Sequence, residues 1–169
     1  LNILEEIKVI SLDCIDLEIK SCYLLKNNKS APVSFKLNKK KGNLIIISSQ
    51  KIDKGSQQIL IEFQGVLNDN LAGFYRSKYE VDGKEKYLAT TQFEATEARK
   101  AFPCLDDPSY KTTFDVSLLI DKNLQAISNM PVAEEKMING KKKIHFETTP
   151  VMSTYLLFMA VGEFEWIEQ

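Results

Sequence analysis

The 169-residue chain is 44% hydrophobic and 27% charged, a composition typical of a soluble globular protein with one real core. Its 22 Lys and Arg are balanced by 23 Asp and Glu, so it lacks the basic excess that binds a phosphate backbone, and no nucleic acid is expected as a partner. No apolar run reaches the roughly 20 residues that a membrane span needs, and no basic stretch followed by an apolar one opens the chain as in a secretory signal.

Alternation of apolar and polar residues dominates the chain from its start. In the first alternating run, one face carries Ile15, Leu17, Ile19 and Tyr23 and the other carries charged residues, which predicts a half-buried strand. The same period of two recurs in segments 33–37, 59–63 and 114–120. Most of the chain is therefore predicted to be β structure, with no helix of three turns.

Turn-forming residues separate the predicted strands. Asp82-Gly83 and Asn139-Gly140 supply the positive φ angles of tight hairpins, and further turns are predicted at 38–43 and 129–131. This spacing predicts an antiparallel sandwich or a large twisted sheet, within one domain over residues 1–169 because no linker interrupts it. The lysine clusters at 39–41 and 141–143 are each predicted to lie at a solvated hairpin tip and not to form an anion-binding patch.

General motifs reveal no catalytic centre. His145, the only histidine, is predicted to point outward from a strand, and one histidine without paired thiols cannot build an ordinary zinc site. Cys104 has no second histidine to activate it and is predicted to be a buried structural residue. Asp106 and Asp107 precede a proline, where turn and capping roles are favoured over acid–base chemistry.

Three cysteines, with no C-x-x-C spacing among them, fit neither a disulfide framework nor a cysteine zinc site. This cysteine usage predicts a reducing, cytoplasmic location.

Four blocks in a fixed order carry a family resemblance. The longest begins at Tyr87 and reads YLATTQFEATEARKAFPCLDDPSYKTTFDV, and the others are LAGFYRS at 71–77, ISNMP at 127–131 and TPVMSTYLL at 149–157. Over about residues 60 to 165 the chain resembles the amino-terminal domain of the gluzincin zinc aminopeptidases, such as aminopeptidase N, puromycin-sensitive aminopeptidase and the tricorn-interacting factors. The opening strand usual in that family is expected to be missing, and the chain is expected to be truncated at both ends.

The resemblance implies an all-β fold, a large twisted antiparallel β sandwich that leans over a thermolysin-like domain carrying the zinc motif H-E-x-x-H. Neither that motif nor the family's G-x-M-E-N segment occurs in these residues. The zinc, the general base and the transition-state tyrosine are therefore expected beyond Gln169. This chain by itself is expected to bind no cofactor and to catalyse nothing.

The resemblance also implies the site residues. Glu94 matches the acidic residue of the family's T-Q-x-E-A block, which binds the free α-amino group of a peptide substrate, and Gln92 matches a position lining the pocket for the first side chain. Without the resemblance, Glu94 would be interpreted as a solvated loop acid, and Gln92 stays open between the two interpretations. Arg99 is expected to hold the loop through Asp106, Asp107 or Glu97.

Two other hypotheses remain. The chain could be a stand-alone β-sandwich binding module derived from this family, with a ligand or partner of its own. It could also belong to an inactive homologue that lost its zinc ligands and acts as a scaffold. A large exposed apolar surface at the docking position of the catalytic domain would argue against the stand-alone module.

Overall fold

The computed structural model describes residues 1–26, 29–165 and 167. In that part of the chain, regular structure consists of seventeen strands and two single 3₁₀ turns, Ala98–Lys100 and Thr154–Leu156. The strands are β1 (Asn2–Ile3), β2 (Ile7–Asp13), β3 (Leu17–Lys26), β4 (Lys29–Pro32), β5 (Ser34–Asn38), β6 (Asn43–Ile52), β7 (Gly55–Ser56), β8 (Gln58–Gly65), β9 (Gly73–Val81), β10 (Lys84–Gln92), β11 (Lys111–Thr112), β12 (Ser117–Asp121), β13 (Gln125–Ser128), β14 (Val132–Ile138), β15 (Lys141–Phe146), β16 (Met152–Ser153) and β17 (Met159–Gly162). All paired strands run antiparallel, which confirms the predicted all-β fold class.

The chain divides into two compact units. Unit 1 comprises Leu1–Val66 and Arg99–Leu105, and unit 2 comprises Leu67–Ala98 and Asp106–Gln169. The assignment of residues 1–169 to one domain stays a prediction.

Unit 1 contains two three-stranded sheets, with strand orders β2-β6-β5 and β4-β3-β8, and the short pair β1-β7. Alternate residues of its longer strands point into a common core. Ile10 of β2, Leu44 and Ile46 of β6, and Leu17 and Ile19 of β3 all belong to this cluster. Burying such a side chain contributes about 1.5–3 kcal/mol, so this core is what stabilises unit 1.

A β-bulge changes which residues of strand β3 point into the core. The sequence places Tyr23 on the buried face with Leu17 and Ile19, but the register with β8 shifts between Ile19 and Ser21. The bulge reverses the alternation beyond it, so Cys22 is buried in the core and Tyr23 is only half-buried. The prediction for Tyr23 was wrong because a bulge leaves no mark on the apolar pattern that precedes it.

Unit 2 contains a four-stranded sheet, β13-β17-β10-β9, a three-stranded sheet, β12-β15-β14, and the pair β11-β16. Its core joins Ile120 of β12 and Ala126 of β13 to Ile144 and Phe146 of β15. Because Ile144 and Phe146 point into this core, His145 lies on the opposite face of β15, as predicted.

Both dipeptide turns form the hairpins expected of them. Asp82-Gly83 has φ angles of 52° and 70°, and Asn139-Gly140 has 49° and 78°, the left-handed values of a type I′ turn. The second turn is so short that Lys141–Lys143 form the start of β15 and not the hairpin tip, so that prediction was wrong. Lys142 instead lies with its Nζ 3.6 Å from Oε1 of Glu135 on β14.

Candidate functional site

The segment that begins at Tyr87 is anchored in a sheet. Residues 87–92 complete β10, which pairs with β9 on one side and β17 on the other. Irregular structure begins only at Phe93. Gln92 is therefore the last residue of a central strand, a position that a sheet holds rigidly.

Burial alternates where β10 leaves the sheet. Thr91 is 8% exposed and Phe93 is 1% exposed, whereas Gln92 and Glu94 are exposed. The carbonyl of Phe93 accepts a hydrogen bond of 2.9 Å from the backbone N–H of Glu97, which closes the turn. The peptide bond between Glu94 and Ala95 is cis. Buried Phe93 thus anchors the chain between the two exposed candidates.

The negative charge of Glu94 is exposed and has no ion-pair partner among the described residues. Among the residues that the structure describes, none forms a hydrogen bond or ion pair with its side chain. An exposed carboxylate two residues beyond the end of a strand has its lone pairs free to accept hydrogen bonds from a cation such as an ammonium group.

The neighbours of Gln92 follow from strand register. On β9 the residue opposite Gln92 is Gly73, which presents no side chain there. On the other side of β10, Thr90 pairs with Ala160, and the hydroxyl of Thr91 accepts a hydrogen bond of 3.0 Å from the backbone N–H of Met159. Two of the sequence blocks, 71–77 and 149–157, thus lead directly to the strands that flank β10.

Arg99 has a partner that the sequence did not indicate. Its expected partners were Glu97, Asp106 or Asp107, and its Nη1 lies 3.4 Å from Oδ1 of Asp13 on β2. Within unit 1 the backbone carbonyl of Arg99 also accepts a 3.0 Å hydrogen bond from the N–H of residue 15. A contact between residues 86 positions apart in sequence cannot be inferred from local pattern.

The carboxylate pair at 106–107 has structural roles. Asp107 accepts hydrogen bonds from the hydroxyl of Ser109 at 2.6 Å and its N–H at 2.8 Å, and these bonds hold the pKa of Asp107 below its usual range. This confirms the predicted turn role. Asp106 is buried, at 1% exposure, and accepts a 2.8 Å hydrogen bond from the hydroxyl of Thr154. A buried carboxylate held in this way is structural.

The only histidine does not form a nucleophile–base relay. The Oγ of Ser117 lies 2.9 Å from Nδ1 of His145, and Oδ1 of Asp115 lies 3.5 Å from the same nitrogen. In a catalytic triad the serine and the aspartate contact opposite ring nitrogens. The cluster is therefore a polar strand contact.

None of the three cysteines forms a disulfide. Cys14 and Cys22 are buried, and burial raises the pKa of Cys22 and raises the pKa of Cys14 to about 11. Such thiols are poor nucleophiles at neutral pH. Cys104 is half-buried, less enclosed than predicted, because it lies in a single bridge beside Asp13 and outside the core cluster of unit 1.

In residues 1–26, 29–165 and 167, no group of three or more His, Cys, Asp or Glu side chains is placed to hold a metal ion. Across the same residues, neither helical segment has the length and apolarity that crossing a bilayer requires.

Comparison with known proteins agrees with the sequence blocks. The family model described as the peptidase M1 N-terminal domain matches residues 1–156. Aminopeptidase 2, mitochondrial, of Saccharomyces cerevisiae is 50% identical over 117 residues, which cover 68% of this chain and 12% of the relative. Alanine/arginine aminopeptidase of the same yeast is 46% identical over 134 residues, covering 78% and 16%.

A third relative is matched over nearly the whole chain. Aminopeptidase 2 of Candida albicans is 40% identical over 166 residues, which cover 96% of this chain and 18% of the relative. The chain thus spans less than a fifth of the length of these curated relatives.

Proposed function

The chain belongs to the family of peptidase M1 N-terminal domains, and from this premise we propose that it is the substrate-anchoring domain of a zinc aminopeptidase. In this proposal Glu94 binds the free α-amino group of a peptide whose first residue the intact enzyme removes. The observation that supports it is the exposed carboxylate of Glu94, which no described residue pairs, beside the fully buried Phe93.

The charge of a peptide's amino terminus explains why a carboxylate suits this role. An exopeptidase must distinguish a chain end from an internal peptide bond, and the end carries an ammonium group with a pKa of about 8. Hydrogen bonds between an ammonium and a carboxylate are roughly twice as strong as neutral ones. An internal amide offers no such partner and would leave the carboxylate desolvated, at about 1–3 kcal/mol or more.

Gln92 contributes to recognition of the first side chain in this proposal. It is exposed at the end of β10, two positions before Glu94. Its amide can both donate and accept hydrogen bonds, so it tolerates polar and apolar first residues. Glu94 then fixes the end of the substrate while Gln92 contacts the side chain beside it.

Zinc belongs to the proposed intact enzyme and not to this chain. The described residues do not fit a metal ion, since they offer no suitable cluster of ligands, and the sequence has one histidine. A downstream thermolysin-like domain is proposed to hold the zinc and to carry out hydrolysis. The contribution of this domain is to bind and orient the peptide.

A cytoplasmic location is part of the same proposal. It rests on the three cysteines, which form no disulfide and suit a reducing compartment.

The test compares Glu94→Gln and Glu94→Ala with wild type in the intact enzyme, using aminoacyl amides with a free or an acetylated amino group. Removing the charge should lower kcat/KM for free-amino substrates by about 100-fold, as expected when a charge-assisted contact is lost. It should also lower the ratio of kcat/KM for substrates with a free amino group to kcat/KM for acetylated substrates. Glu80→Gln, an exposed glutamate at the far end of β9, is the matched control and should keep wild-type activity.

Two results would contradict the proposal in different ways. If Glu94→Gln keeps the wild-type kcat/KM, Glu94 is not the anchor. If the intact protein binds no zinc and hydrolyses no aminoacyl substrate, the aminopeptidase assignment fails, and a stand-alone binding or scaffold role takes its place.

A further inference from the structure

Two polar side chains hold one exposed segment of unit 2 in place. Nδ2 of Asn129 donates a 2.8 Å hydrogen bond to the carbonyl of Leu156, and Oδ1 of Asn129 accepts one of 2.7 Å from the N–H of Phe158. The hydroxyl of Ser128 donates a third, of 2.8 Å, to the carbonyl of Phe158. The backbone on both sides of the Phe158 side chain is therefore fixed before the regular strand β17 begins.

The register between strands β10 and β17 places residues 156–158 near Gln92. The β10–β17 register pairs Thr90 with Ala160, and continuing it by two positions sets Phe158 opposite Gln92. Residues opposite each other on antiparallel strands share a face, with Cβ atoms about 4.5–5.5 Å apart. On the other side of Gln92, Gly73 leaves that face open. On this continued register Gln92 lies between Phe158 and Gly73.

The side chain of Phe158 projects from this fixed backbone and is not part of the core. Its exposed fraction is 38%, and it is absent from the core cluster of unit 2. An exposed aromatic ring on a backbone fixed by three hydrogen bonds is preorganised for contact with a ligand. Ligand pockets combine apolar walls with a few polar groups in this way.

We propose that Phe158 is a specificity-determining residue that forms an apolar wall of the pocket for the first side chain of the substrate. Asn129 acts as its positioning residue. The preferred substrates are then peptides that begin with a large aliphatic or aromatic residue, because such side chains remove the most apolar surface from water against the ring. The inference rests on the proposed function, since it takes the pocket to lie between Glu94, Gln92 and Phe158.

The experiment measures a specificity ratio in the intact enzyme, namely kcat/KM for a leucyl amide divided by kcat/KM for an alanyl amide. Phe158→Ala should lower this ratio by about tenfold, the usual effect of lost apolar contact in a binding pocket. Phe158→Gln, which keeps the length of the side chain but not its apolar character, should lower it to a similar extent. Phe158→Leu should keep the ratio within about threefold of wild type.

Two further variants complete the design. Asn129→Ala should lower the ratio in the same direction and mainly through KM, because it loosens the wall without removing it. Leu119→Ala is the matched control: Leu119 is an exposed apolar residue of β12, in the other large sheet of unit 2, and its loss should leave the ratio unchanged. Thermal unfolding of each variant shows whether it is folded, and Phe158→Gln serves as the test if Phe158→Ala does not fold.

Each remaining outcome overturns the inference. A ratio within twofold of wild type in folded Phe158→Ala and Phe158→Gln would show that the ring does not contact the first side chain. An equal fall for both substrates would show that Phe158 supports the fold or another domain. These failures are separate from failure of the proposed function, because they leave the effect of Glu94→Gln on free-amino substrates intact.

Discussion

The sharpest test of the site's architecture compares the free energies of unfolding of variants at three consecutive residues. Phe93 is 1% exposed, whereas Gln92 and Glu94 on either side are exposed. Truncating a buried Phe to Ala removes its transfer free energy and leaves a cavity, which together lower the free energy of unfolding by about 3–5 kcal/mol. In a protein of this size, that corresponds to a fall in Tm of roughly 8–15 °C.

Chemical and thermal unfolding followed by circular dichroism measure these differences. Phe93→Ala should show the full loss, and Phe93→Leu, which keeps most of the apolar volume, should lose about 1 kcal/mol. Gln92→Ala and Glu94→Ala should each stay within about 0.5 kcal/mol of wild type. A Phe93→Ala variant within about 1 kcal/mol of wild type would refute the assignment of Phe93 as the anchor. So would a Glu94→Ala variant as unstable as Phe93→Ala.

Two further predictions concern buried groups. The pKa of Cys14 is raised from 9.0 to about 11, so at pH 8 its alkylation should be about 100-fold slower than that of an exposed thiol. Above pH 9 the thiol keeps its proton in the folded state but loses it in the unfolded state. The free energy of unfolding should therefore fall by up to roughly 3 kcal/mol between pH 9 and 11. If Cys14→Ala leaves this fall unchanged, Cys14 is not its source. Thr154→Val removes the 2.8 Å hydrogen bond to buried Asp106 and should lower the free energy of unfolding by about 1.5–3 kcal/mol; an unchanged unfolding midpoint would show that the bond adds nothing.

Local patterns were sufficient where one residue type dictates one geometry. Asp82-Gly83 and Asn139-Gly140 were predicted as hairpins and adopt left-handed φ angles, because few other residues tolerate them. The period of two placed His145 on the outer face of its strand, since side chains alternate strictly along β structure. Such predictions succeed because the interaction that decides them lies within a few residues.

Predictions failed where a distant partner set the outcome. The bulge in β3 that buries Cys22 instead of Tyr23 arises from pairing with β8, about 40 residues away. The contact of Arg99 with Asp13, which the sequence did not indicate, also joins distant segments. Nothing in the local sequence of either residue reports the partner.

The sequence by itself determined the all-β class, the hairpin turns and the family, because apolar periodicity, turn chemistry and motif order are properties of neighbouring residues. Only the tertiary structure decided that Phe93 is the buried residue between two exposed ones, that buried Asp106 accepts a hydrogen bond from Thr154, and that Asn129 fixes the backbone of Phe158. These facts depend on which strands pair and in which register. That pairing is set by burial of the core within each unit, to which several strands contribute at once.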